Sequence, residues 1–187
     1  LGITSMRDLK VGIQGFGNVG YNLCKHLHEA GAIIYGYDID QEKLDNVVNT
    51  FGVIPVSNEK LISLDLDVFS PCALGAVINP DSIKKLKCSI IAGAANNQLE
   101  EESRDSKLLL SKKIMYVPDY VINAGGLMNV ANELQGYNKE KARYQVEGIY
   151  HILMRIFDYA ATNNISTLEA ANLLAERRVD EFIKWHH

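Results

Sequence analysis

Three glycines spaced G-x-G-x-x-G, with an acid some way beyond them, are the residues of this chain best suited to chemistry. Gly15, Gly17 and Gly20 lie in Val11-Gly12-Ile13-Gln14-Gly15-Phe16-Gly17-Asn18-Val19-Gly20, and Asp38 closes Ile33-Ile34-Tyr35-Gly36-Tyr37-Asp38. The task they suit is holding a dinucleotide. The first glycine permits a tight turn, the second lets backbone approach a pyrophosphate, and the third lets a helix pack close to a strand. The start of that helix offers unpaired N–H groups to phosphate charge. Asp38 stands 18 positions after Gly20, close to the spacing of about 20 at which a carboxylate reaches a ribose 2′-hydroxyl. That carboxylate repels a 2′-phosphate, and Ile39, Asp40, Gln41 and Glu42 include no arginine to pair with one. NAD is therefore expected over NADP. FAD uses the same fingerprint but needs a larger chain to enclose the flavin. The plainer alternative is a glycine-rich turn in some other α/β protein.

The elements that must position these residues follow from periodicity. Apolar runs at 10–14, 33–37, 53–56, 67–70, 89–92 and 114–117 read as strands, with helical segments between them. Val19, Leu23 and Leu27 recur at four-residue spacing and are expected on the buried face of the first helix. Gly31 stops it, Asp40 caps a second helix that ends before Gly52, Pro80 opens a short helix through Leu86, and another runs from about Glu101 to Ser111. This alternation predicts an α/β fold: a doubly wound, Rossmann-type, mostly parallel sheet with its ligand at the carboxyl ends of the strands. After Pro118 the pattern changes to Val121-Ile122-Asn123-Ala124-Gly125-Gly126 and then two C-terminal helices. The first, Lys139 to Asn163, carries an apolar stripe of Val146, Ile149, Tyr150, Leu153, Phe157 and Ala160; the second, 167–185, follows a Ser166/Glu169 capping box. The expected division is a Rossmann domain over 1–135 and a helical extension over 136–187.

Bulk composition narrows the class. The 187 residues are 47% hydrophobic with a net charge of −4, which suits a globular core and offers no basic footprint for nucleic acid. No apolar run approaches the roughly 20 residues of a membrane span, and no signal peptide is visible. Cys24, Cys72 and Cys88 lack metal-ligand spacing, so no metal is expected; they read as neutral thiols in a reducing cytoplasm. A chain that opens on Leu1 reads as a piece of something longer, and His186-His187 as the start of a purification tag.

Further segments fall at predicted strand ends: Ser70-Pro71-Cys72-Ala73-Leu74-Gly75, Gly93-Ala94-Ala95-Asn96-Asn97-Gln98, and Pro118-Asp119-Tyr120-Val121-Ile122-Asn123-Ala124-Gly125-Gly126 running on through Leu127-Met128-Asn129-Val130. Singly, each has a dull explanation as a loop, cap or turn. Together with G-F-G-N-V-G and Asn132-Glu133-Leu134-Gln135-Gly136-Tyr137-Asn138, they resemble the C-terminal, cofactor-binding half of the Glu/Leu/Phe/Val amino-acid dehydrogenases, with the leucine dehydrogenase branch the nearest match. The likeness runs from about Lys10 to Glu181.

The resemblance implies reversible oxidative deamination, as in branched-chain amino-acid catabolism: an L-amino acid gives its α-hydride to NAD, and the resulting imine is hydrolysed to a 2-oxo acid and ammonia. It implies that Gly15, Gly17, Asn18 and Val19 hold the pyrophosphate and Asp38 the adenosine ribose. Cys72 and Ala73 would run along the nicotinamide, with Cys72 a small buried residue rather than a nucleophile. Asn97 would bond the nicotinamide ribose or the substrate's polar end, and Asn123 would lie in a hinge loop, where its plainer reading is a turn residue in left-handed geometry. Leu127 and Val130 match substrate-pocket positions, three apart on a helix beginning after Gly126. Apolar groups there suit an aliphatic or aromatic substrate and would leave a glutamate γ-carboxylate unpaired. In leucine dehydrogenases the first of these positions is typically Val, so Leu127 keeps phenylalanine and valine open beside leucine. Both are otherwise ordinary core residues.

The family's catalytic lysines and aspartate belong to its N-terminal half, and no Gly-Gly-x-Lys-like segment occurs here. Lys84, Lys85, Lys112 and Lys113 read as solvated charges on helices or helix ends. No catalytic residue is therefore assigned to this chain. Its expected partners are a small amino-acid substrate and the missing N-terminal half of a homo-oligomeric parent. The alternative from another class is a stand-alone NAD-sensing module, which has no need of the segment 118–130.

Overall fold

The computed structural model describes residues 5–73, 75–133, 136 and 138–185. Leu74, Leu134, Gln135, Tyr137 and His186-His187 lie outside the described residues.

The chain runs β1 (Lys10–Gln14), α1 (Asn18–Glu29), β2 (Ile33–Tyr37), α2 (Gln41–Phe51), β3 (Ile54–Pro55), α3 (Asn58–Ser63), β4 (Val68–Pro71), α4 (Pro80–Lys85), β5 (Ile90–Ile91), α5 (Glu102–Ser111), β6 (Met115–Tyr116), α6 (Asp119–Ile122), α7 (Gly125–Glu133), α8 (Lys139–Asn163) and α9 (Thr167–Trp185). The six strands lie in the order β3-β2-β1-β4-β5-β6, with parallel pairing from β3 through β5. This is a Rossmann-like α/β fold, whose switch point lies between β1 and β4. The register aligns Gln14 with both Tyr37 and Pro71, so the loops after β1, β2 and β4 leave the sheet at one edge. β1 is buried along nearly its whole length, as expected of a strand covered on both faces.

Local chemistry explains the helix limits. The Asp40 carboxylate accepts from the Glu42 and Lys43 N–H groups at 3.1 and 3.4 Å, and Gly52 closes α2 with φ of 68°, satisfying orphan groups at both ends. Asn79 and Ser82 form a reciprocal capping box on α4.

Four expectations are corrected. On α1 the buried row is Gly20, Cys24 and Leu27; Leu23 only flanks the core, and Val19 is 58% exposed. Of the expected repeat only Leu27 lies on the buried face, because the glycine and cysteine that complete that face carry little hydrophobic signal. On α8 the buried row is Ala142, Ile149, Ile156 and Ala160. Ile149 and Ala160 belong to the expected stripe and Leu153 and Phe157 flank the core, whereas Val146 and Tyr150 are exposed and Ala142 and Ile156 take their place. α7 begins at Gly125 and takes both glycines into the helix, where a break was expected. Lys112 is not simply a solvated charge: its Nζ donates to the carbonyls of Ile83, Lys84 and Leu86 at 2.7, 3.1 and 3.2 Å. A cation here satisfies the last carbonyls of α4 and the negative end of its dipole.

The chain divides into two compact units, one up to Met115 and one from Tyr116. The first holds a core built on Val11, Ile13, Phe16, Ile34 and Val47. The second has its own small core of Ile156, Ala160, Ala170 and Ala171, where three alanines let helices approach closely. No helix among the described residues is long and apolar enough to cross a membrane.

Candidate functional site

At the carboxyl end of β1 the chain must turn and enter a helix at once. Gly15 has φ of 96°, and a Cβ there would stand 2.6 Å from the Ala73 Cβ. Gly20 sits one turn into α1, where a Cβ would meet the Gly15 carbonyl oxygen at 2.0 Å. These glycines therefore fix α1 against the strand and against the loop after β4. Gly17 differs: a Cβ there would meet nothing within 4 Å. It is the N-cap of α1, it supplies no side-chain acceptor, and no acid stands in the first turn. The arrangement is an open cradle of donor N–H groups at the positive end of a 12-residue helix, fit for an anion approached by bare backbone. Exposed Asn18 and Val19 flank it.

Asp38 lies just past the end of β2. One carboxylate oxygen accepts from the Phe16 N–H at 2.6 Å and the other from the Asp40 N–H at 2.8 Å. These bonds fix the carboxylate beside the glycine turn. An ionised carboxylate has about four acceptor positions, so two remain for a pair of ribose hydroxyls. Asp40 is ion-paired with Lys43 at 3.2 Å, and this exposed contact holds its carboxyl below the ordinary range, led by the Lys43 hydrogen bond. Ile39, between them, is 92% exposed. Sequence reasoning passed over it; the available signal was a β-branched apolar residue in an otherwise polar turn.

The second and third segments meet the first. The Cys72 N–H donates to the Gln14 carbonyl at 2.7 Å, and the Ala95 N–H to Pro71 at 2.9 Å. Beyond them the Ala76 and Ile78 N–H groups donate to Asn97 and Gln98, and Glu100 donates back to Ile78, forming a parallel bridge between Ile78 and Leu99. Ala73 is exposed beside Gly15, and exposed Asn97 holds φ of 51°, a geometry asparagine tolerates. Thus Gly15, Gly17, Asn18, Val19, Gly20, Asp38, Cys72, Ala73 and Asn97 all lie around one edge of the sheet unit. Asn123, Leu127 and Val130 belong to the second unit. Asn123 closes α6 with φ of −94°, so it is a turn residue without left-handed geometry. Leu127 and Val130 are 76% and 54% exposed, so neither belongs to the small core of the helical unit. Among the described residues no group of three or more His, Cys, Asp or Glu is placed to hold a metal.

The cysteines divide by burial. Cys24 and Cys88 are buried, and burial pushes each thiol up to about 11. Cys72 is half-buried, its Sγ 3.4 Å from the Ser70 hydroxyl. At pH 8 an alkylating reagent is expected to modify Cys72 first and the others only on unfolding. Mass spectrometry of the native protein checks this; rapid labelling of all three thiols would refute it. For Cys24 and Cys88 the folded state keeps the proton longer than the unfolded one. The stability this gives is fully present below the ordinary value of 9.0 and is lost as pH rises through about 11.

The family model for glutamate/leucine/phenylalanine/valine dehydrogenases matches residues 37–186. A leucine dehydrogenase from Thermoactinomyces intermedius is 48% identical over 179 residues, 96% of this chain and 49% of that protein. An L-tryptophan dehydrogenase from Nostoc punctiforme is 51% identical over 172 residues, 92% of this chain and 49% of that protein. The crystal structure of L-tryptophan dehydrogenase from Nostoc punctiforme matches with a TM-score of 0.93 at 49% identity, over 96% of this chain and 55% of that one. The chain spans about half the length of the curated relatives it matches.

Proposed function

Because the chain belongs to the glutamate/leucine/phenylalanine/valine dehydrogenase family, we propose that it is the C-terminal, NAD-binding half of an enzyme that oxidatively deaminates an apolar L-amino acid. The observation that carries this reading is the open cradle at Gly17 with the fixed carboxylate of Asp38 beside it. Gly15, Gly17, Asn18, Val19 and Gly20 hold the pyrophosphate, and Asp38 takes the adenosine ribose. The exposed side chain of Ile39 gives the adenine an apolar platform. Cys72, Ala73, Asn97 and Asn123 serve the nicotinamide end. NAD, when bound, accepts the hydride from the amino acid's α-carbon. The protein's own task is to orient that acceptor and keep a 2′-phosphate out.

Leu127 and Val130 form the apolar wall for the substrate side chain. Their exposure supports a surface awaiting a ligand or a covering segment. Matches to both leucine and tryptophan dehydrogenases favour an apolar substrate, and leave aliphatic against aromatic to experiment. The catalytic lysines come from an N-terminal half, in a parent that assembles as a homo-oligomer. The cofactor domain extends over 1–135, past the end of the compact sheet unit at Met115, with 136–187 as its helical extension.

Calorimetric titration of the 187-residue chain with NAD and NADP tests the cofactor. NAD is expected to bind and NADP not; tighter NADP binding sinks the Asp38 argument. The same chain, given leucine, valine, phenylalanine, tryptophan or glutamate with NAD, is expected to produce no NADH. Turnover would overturn its assignment as a half-enzyme. With the N-terminal half joined, a preference for glutamate would refute the Leu127/Val130 pocket.

A further inference from the structure

The helical unit contains a groove that none of the residues assigned above accounts for. It encloses about 540 Å³ between α6, α8 and α9, within the range of roughly 300–1,000 Å³ typical of small-molecule sites. Its floor is apolar, with Val121, Ile152, Ile156 and Leu174; its rim carries Arg155 from α8 and Arg177 and Arg178 from α9. Glu181 is the single carboxylate in the lining. Three guanidiniums against one carboxylate give the groove a net positive lining, suited to an anion.

The three arginines are not equivalent. Arg177 donates to the Tyr159 hydroxyl at 2.9 Å and stands 5.2 Å from that ring's centroid, so its guanidinium is held in place. Arg155 and Arg178 make no ion pair or hydrogen bond among the described residues. Each offers a planar fork that matches a carboxylate in bidentate fashion. They stand on different helices beside an apolar floor, so a ligand that satisfies both demands has a charged head and a hydrophobic body.

We propose that this groove binds an organic monocarboxylate with an apolar body. The site is lined by neither the dinucleotide residues nor Leu127 and Val130, and it does not rest on the dehydrogenase reading.

The test is an NMR titration of the ¹⁵N-labelled 187-residue chain with 4-methylpentanoate. Saturable shifts are expected at the backbone of Arg155, Ala171, Leu174 and Arg178. The exposed double variant Arg155→Gln/Arg178→Gln should weaken binding by about ten-fold or more, the loss of one charge-assisted contact or more. Glu181→Gln should tighten it about two-fold by removing the opposing charge. Acetate, a head without a body, and 4-methylpentan-1-ol, a body without a charge, should each bind at least about ten-fold more weakly. Thermal melts confirm that the variants fold. Unchanged affinity in the double variant, shifts confined to other residues, or acetate binding as tightly as 4-methylpentanoate would each overturn the assignment.

Discussion

Gly17→Ala is expected to leave the stability of the chain nearly unchanged and to weaken NAD binding by about a hundred-fold. The two effects separate because of what surrounds the missing side chain. A Cβ at Gly17 meets no protein atom within 4 Å, and its φ of −67° is open to alanine. A methyl group therefore fits the empty cradle but occupies the space a phosphate needs. Displacing the phosphate by about 1 Å forfeits charge-assisted hydrogen bonds worth about 1.5–3 kcal/mol each. Gly20→Ala is the contrast. Helix propensity alone favours alanine by about 1 kcal/mol, yet the Cβ would stand 2.0 Å from a backbone oxygen. That clash must move α1 or the Gly15 turn, so the variant should lose both stability and binding. Denaturant titration alongside NAD calorimetry separates them. A Gly17→Ala protein with native affinity would remove the pyrophosphate from this cradle.

Asp38→Asn should move the cofactor preference from strongly NAD towards parity. A carboxylate about 4 Å from a 2′-phosphate opposes each unit of charge by about 4 kcal/mol at an effective dielectric of 20. The amide removes that repulsion. Asparagine retains one acceptor oxygen where the carboxylate uses two to hold the Phe16 and Asp40 N–H groups and keeps further lone pairs for ribose. NAD affinity should therefore fall by about ten-fold while NADP affinity rises by about a hundred-fold. Competition binding with both dinucleotides reads the ratio directly. If the ratio does not move, Asp38 is a structural cap for the glycine turn and no more.

Much of the sheet unit was legible because its signals are local. Asp40 and Gly52 bound α2 by capping chemistry, and the runs at 10–14 and 33–37 coincide with β1 and β2. Positions that depend on partners distant in sequence were not. Lys112 carries the same charge as its neighbour Lys113, and only the fold brings the end of α4 to its ammonium group. Likewise the buried face of α1 runs through Gly20 and Cys24, whose small size suits close packing but leaves a hydrophobicity pattern pointing elsewhere. At the candidate site the glycines and Asp38 could be read from spacing. Ile39 left only the weak signal of an apolar residue in a polar turn, since its 92% exposure is a property of the folded surface.

The parallel bridge between Ile78 and Leu99 also bears on the thermodynamics of binding. It joins the loop after β4 to the loop after β5, through amides of Ala76, Ile78 and Glu100. A loop already pinned to its neighbour has little conformational entropy left to lose when a ligand arrives. On the proposed reading, these loops should thus contribute their contacts to the dinucleotide almost undiscounted, with little of their enthalpy cancelled by ordering. The same three amides should resist hydrogen exchange as strand residues do, although they belong to loops.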